Sequence, residues 1–205
     1  MRARHVNRCC LTAFLLLCSS TGSLASGMSC DTQVSIARMA RANDASDLLR
    51  SKKHTGTDYV SLSVAAAKMF MLQPRDPQAA DALLALIPQT TEQNENLTNL
   101  YDPTCAGLSI ADMRSLDRLS ARLPSLFAAA VILIPKRLSQ YISYSLVAVS
   151  DPHNDHTIQM RRVCRTMRGE FAQAVNHLAR DERAEFRTRV FDDKKCRPIH
   201  LPEDD

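Results

Sequence analysis

"HNDHTIQMRRVCRTMRGEFAQAVNHL", residues 153–178, is the stretch whose spacing decides the fold class. Met160, Val163, Cys164, Met167, Phe171, Ala174, Val175 and Leu178 recur every three or four residues, the period of a helix with one buried stripe. Arg161, Arg165 and Arg168 fall on the opposite side, with Arg162 beside them. Read as one helix, the segment is roughly 36 Å long, enough to cross a domain. Strands need alternation with a period of two, and none is present here.

The segments outside this stretch agree. "SLFAAAVILI" (125–134) lies between Pro124 and Pro135, so it reads as a helix buried on nearly all sides, too short to span a bilayer. The next segment, 136–149, places Leu138, Tyr141, Ile142, Leu146 and Val149 on one face that packs against it. Asp76-Pro77 and Asp151-Pro152 read as helix starts, since Asp caps free amides and Pro tolerates the first turn. Asp102-Pro103, followed by "TCAG", reads as a turn, and Ser109 as a further N-cap. Helices are predicted over 32–41, 45–53, 57–73, 77–87, 90–100, 110–122, 125–134, 136–149, 153–178 and 181–191. The expected fold is all-α: a single compact helical bundle, or an irregular stack of helical hairpins, with no repeat of fixed period.

Residues 1–25 read as a signal peptide. Arg2, Arg4 and Arg8 precede the apolar run "CCLTAFLLLC" (9–18), and Ser23-Leu24-Ala25 offers small residues for cleavage after Ala25. A lipid anchor at Cys18 is disfavoured because Leu17, and not a small residue, precedes it. Residues 26–205 then form one domain, with 192–205 as a C-terminal tail. Three of the 26 Lys and Arg belong to the leader, which leaves 23 against 22 Asp and Glu, a net charge of +1. That balance provides no attraction for nucleic acid or an anionic membrane, so no nucleic acid is expected as partner.

Three of the seven cysteines also lie in the leader, leaving Cys30, Cys105, Cys164 and Cys196. In an exported chain four cysteines imply two disulfides, and their wide spacing fits neither zinc nor thioredoxin-type chemistry. A final helix running back along 167–178 would bring Cys196 to Cys164, which pairs Cys164 with Cys196 and, by elimination, Cys30 with Cys105.

Candidate functional residues concentrate at the start of the opening stretch. His153, Asp155 and His156 are metal-ligand and proton-transfer types, but the histidines are spaced i,i+3 where a helical metal pair needs i,i+4, and no glutamate lies between them. The plainer reading is a polar helix start with solvated histidines, its acidic residues favouring the positive end of the helix dipole. No G-x-S-x-G, H-E-x-x-H or S-x-x-K occurs, and Asp112, Asp117, Glu92 and Glu95 are scattered. The reading leans away from an enzyme and implies no cofactor and no metal. Met69, Met71, Met160 and Met167 read as core filling, with an apolar-ligand carrier as the alternative.

The expected function is therefore binding of another protein. Size, export and helical class are those of small periplasmic immunity or inhibitor proteins that neutralise a toxin or cell-wall enzyme, although no motif carries the analogy. His153, Asp155, His156, Arg161, Arg165 and Arg168 are the candidate contact residues. The alternative is a small metal-dependent hydrolase using His153, Asp155 and His156.

Overall fold

The helices begin where polar side chains can cover free backbone amides. In the computed structural model, which describes residues 28–52, 58–148 and 155–190, Ser29 caps α1 (Cys30–Arg41) by accepting from the Thr32 amide. Helix α2 spans Ala45–Lys52. Asp58 caps α3 (Tyr59–Leu72). Asp76 caps α4 (Pro77–Leu84) with Pro77 in the first turn, as the Asp-Pro pair predicts. Thr90 starts α5 (Thr91–Thr98). At α6 (Ile110–Ser120) the Ser109 hydroxyl and the Asp112 carboxylate each take the other's backbone amide, a complete capping box. Helix α7 (Leu123–Leu133) leads through a short 3-10 turn (Pro135–Arg137) into α8 (Leu138–Val147). Helices α9 (Asp155–Thr166), α10 (Arg168–Asn176) and α11 (Arg180–Val190) complete the order, and the described residues contain no strand.

Helix α7 is the hub. Its apolar sequence lets it touch α3, α4, α8 and α9 at once, with Phe127, Ala128, Ala130 and Val131 buried. Helix α1 packs on α3 and α6. These pairings join segments far apart in sequence, whereas a solenoid would join only neighbours. One continuous apolar core results, and it includes Met160 and Met167; Met69 and Met71 pack against its edge. The bundle is compact and all-helical.

Two expectations need correction. The 153–178 segment is not one rod, because the backbone leaves helical angles at Met167 (φ −131°, ψ 56°) between α9 and α10. Gly169, which costs a helix about 1 kcal/mol relative to Ala, follows two residues later, and nothing within 4 Å of its would-be Cβ demands a glycine there. The bend lets α9 lie along α7 while α10 turns onto α8. The buried stripe survives because Met167 points inward at the bend. The final helix is also placed differently: α11 lies chiefly against α8 and α9, and it meets α10 where Phe186 and Phe171 approach to 5.8 Å between ring centroids.

The Cys30–Cys105 disulfide forms as paired, with Cα atoms 5.4 Å apart. The turn at 102 is built as expected, Asp102 Oδ1 accepting from the Thr104 amide and hydroxyl. Gln33, buried beside the bridge, donates to the Met28 carbonyl (2.8 Å) and accepts from the Asp102 amide (2.8 Å). Cys164 is buried in the core, while Cys196 and the tail 192–205 lie outside the described residues, as do the leader and Asp151-Pro152.

Ion pairs tie elements at the surface. Arg41 reaches Asp112 (2.9 Å), joining the end of α1 to the start of α6. Asp81 on α4 receives Arg137 (2.9 Å) and Lys136 (3.6 Å) from the 3-10 turn. The Arg137 hydrogen bond, followed by the charges of Arg137 and Lys136, holds the Asp81 carboxyl below its usual range against a smaller opposing effect of burial. A depressed folded-state pKa contributes stability that is fully present above the unfolded value, near 3.9, and is lost as pH falls through the folded value. Asp81→Asn should therefore flatten part of the acid limb of a Tm-against-pH curve below about pH 4. An unchanged limb would show that the pair is solvated in both states.

Candidate functional site

Helix α9 has two unlike faces, and the candidate residues divide between them. His153 lies outside the described residues, and Asp155 is the first residue of α9. His156 is not solvated as expected: it is only 4 % exposed. The reason is periodicity. His156, Met160, Val163 and Met167 stand at i, i+4, i+7 and i+11, so the histidine is the first member of the buried stripe.

Inside, His156 enters an aromatic cluster carried by α8. Its ring centroid lies 4.6 Å from that of Tyr144, edge to face, and 5.8 Å from that of Tyr141. Phe127 of α7 meets Tyr144 from another side at 5.4 Å, also edge to face. The Tyr144 hydroxyl donates to Asn94 Oδ1 of α5 at 3.1 Å, and Asn94 is itself buried. Burial, helped by the neighbouring Tyr144, pushes the Tyr141 phenol far above its ordinary range, and Arg162 only partly offsets this. Tyr141 is thus a neutral phenol with no exposure, unsuited to exchange protons with a substrate in solvent.

The two hydroxyls differ in a way that mutation can read. The Tyr141 hydroxyl is buried with no hydrogen-bond partner, whereas that of Tyr144 serves Asn94. Tyr141→Phe removes an unsatisfied buried group, so it should leave stability unchanged or raise it by about 1 kcal/mol. Tyr144→Phe strands Asn94 and should cost about 1–3 kcal/mol. Urea midpoints of the two variants test this, and equal losses would contradict the assignment of partners.

The outer face is cationic. Arg162, Arg165 and Arg168 are exposed, while Arg161 is half-buried. Arg168 lies beyond the bend and opens α10, so it no longer shares a straight helix with Arg161 and Arg165. In the middle of the solvent side stands Ile158, 54 % exposed. Neither Ile158 nor the aromatic cluster stands out in a reading for ligand-type residues. The signal for both is the helical phase of His156 and Ile158 relative to Met160.

The other carboxylates do not converge. Asp112 is engaged in the α6 cap and with Arg41, Asp117 accepts from the Tyr101 hydroxyl (3.3 Å), and Glu92 and Glu95 are exposed on α5. Among the described residues, no three His, Cys, Asp or Glu side chains gather as metal ligands would, and no helix is long and apolar enough to cross a membrane.

No family model, curated protein or solved structure matches the chain.

Proposed function

We propose that the protein is exported and acts by binding another protein, in the manner of a periplasmic inhibitor or immunity protein that neutralises a toxin or cell-wall enzyme. The observation that carries this reading is the division of α9. The titratable His156 is turned into an aromatic core, and what the helix offers to solvent is a row of arginines around an isoleucine. Arginine is enriched at protein interfaces, where its planar head pairs with carboxylates and its stem covers apolar surface. A disulfide-stapled bundle holds that face in a fixed shape, which lowers the ordering cost of association. Export rests on the leader ending at Ala25 and on the cysteine usage described above.

The hydrolase reading works against this packing. To ligate a metal together with His153 and Asp155, His156 would have to leave the rings of Tyr141 and Tyr144. The carrier reading has the methionines as its only support, and those of α9 are closely packed core.

Affinity capture from a periplasmic extract, with and without reductant, tests the proposal. The expected result is one stoichiometric partner whose complex re-forms from purified components and whose own activity is blocked. Stoichiometric metal that is lost in His153→Ala/His156→Ala, with no protein partner, would replace the binding reading by the hydrolase. A co-purifying apolar ligand would replace it by the carrier.

A further inference from the structure

Ile158, Arg162 and Arg165 occupy positions i, i+4 and i+7 of α9 and so share about 60° of its circumference. Met160, Val163 and Cys164 lie on the far side of the helix, fully buried, so this arc points directly away from the core. Arg162 and Arg168 have no carboxylate within ion-pair distance, unlike Arg41, Arg50 and Arg137, which are each matched to an aspartate. After Asp155, α9 contains no acidic residue. The face is therefore a local excess of positive charge in a protein whose charges otherwise nearly balance.

Ile158 gives that excess a chemical direction. A β-branched residue at an exposed helical position loses side-chain freedom and forms helix less well than Lys, Glu or Ala, while its apolar surface stays wet. Set between arginine stems, it becomes the centre of a small apolar patch ringed by guanidinium groups. That is the arrangement of an interface anchor: an apolar contact shielded from water by charged neighbours that pair with the partner.

We propose that the outward face of α9, with Ile158 as anchor and Arg162, Arg165 and Arg168 as charge partners, docks an acidic segment of another protein that carries one apolar side chain. Charge complementarity selects carboxylates, and the planar arginine fork favours them in bidentate pairs. The apolar residue of the partner lies on Ile158, and its carboxylates straddle the arginines on either side. This rests on the protein-binding reading above and narrows it to one face and one class of partner.

The test is a selection of peptides from a random displayed library on the purified full-length protein, with subtraction on the triple variant Ile158→Lys/Arg162→Glu/Arg165→Glu. All three residues are at the surface, and the milder Arg162→Ala and Ile158→Ala serve if the triple variant loses its helical circular dichroism. Expected survivors are acidic with one apolar residue at a constant position, bind the wild type with an affinity that falls as salt rises, and weaken roughly tenfold or more on either single change. No survivor, or survivors without net negative charge, overturns the proposal. So does a survivor resembling the chain's own acidic "LPEDD" (201–205) whose synthetic copy binds, because the occupant is then internal. A monomer–dimer equilibrium abolished by Arg162→Glu overturns it in favour of a second copy. A purified stoichiometric partner that binds wild type and variants alike would sink this face while leaving the protein-binding reading intact.

Discussion

Replacing Phe127 by alanine is expected to cost about 3–5 kcal/mol, the largest single loss the fold should show. Phe127 is 1 % exposed at the middle of α7, the helix that contacts α3, α4, α8 and α9. The loss has two parts: the transfer free energy of the ring and the void it leaves. Contacts on several sides come from different helices, so no one neighbour can move in without leaving another partner. The edge-to-face contact with Tyr144 adds about 0.5–1.5 kcal/mol that a purely aliphatic site would lack. Domains are stable by only about 5–15 kcal/mol, so the variant should sit close to unfolding, with Tm lowered by roughly 10 °C. Urea and thermal unfolding measure both quantities. A loss below about 1 kcal/mol would mean that the surrounding helices close over the site, contrary to the hub role of α7. Ile158→Ala, on the outer face of α9, should stay within about 0.5 kcal/mol of wild type in the same assay.

Removal of the Cys30–Cys105 bridge should cost nearly as much. The bridge spans 75 residues, and the chain-entropy relation for a loop of that length gives about 4.5 kcal/mol, within an observed range of about 2–5. The folded state should change little, because Gln33 independently holds the Met28 carbonyl and the Asp102 amide on either side of the bridge. The destabilisation is therefore expected to act through a less restricted unfolded chain. Cys30→Ser/Cys105→Ser should shift the urea midpoint strongly while leaving the near-UV dichroism of the aromatic cluster in place. Loss of that tertiary signal without denaturant would show that the bridge builds the fold and does not merely restrain its unfolded state. The pairing predicted for Cys164 with Cys196 is a separate question, answered by peptide mapping under non-reducing conditions.

Much of this architecture is readable from local chemistry. Asp76-Pro77, Ser109 and the "DPTCAG" turn each behave as their side chains require, since a cap or turn is decided within a few residues of itself. The burial of "SLFAAAVILI" follows from its composition, because a helix apolar on every side has no stable place at the surface. The stripe running from Met160 to Leu178 is also correct as a list of buried residues.

Other features depend on what lies opposite. Tyr144 and Ser145 extend the buried face of α8 beyond the stripe that periodicity outlines, because α9, α10 and α11 cover its remaining side. The bend at Met167 is invisible in the spacing, since a stripe can continue through a bend when each half packs on a different helix. His156 illustrates both kinds of reading. Its helical phase with Met160 and Val163 was available in the chain, while its chemical meaning came from Tyr141 and Tyr144, twelve or more residues away.

The amino-acid sequence alone determined the all-helical class, most helix starts and the Cys30–Cys105 pairing, because caps, period and cysteine count act locally or by elimination. Tertiary structure decided which helix became the hub, where the long segment bends, and which way the candidate site faces. Those outcomes depend on packing between segments far apart in the chain. The same side chain is a ligand or a core residue according to what the fold sets against it.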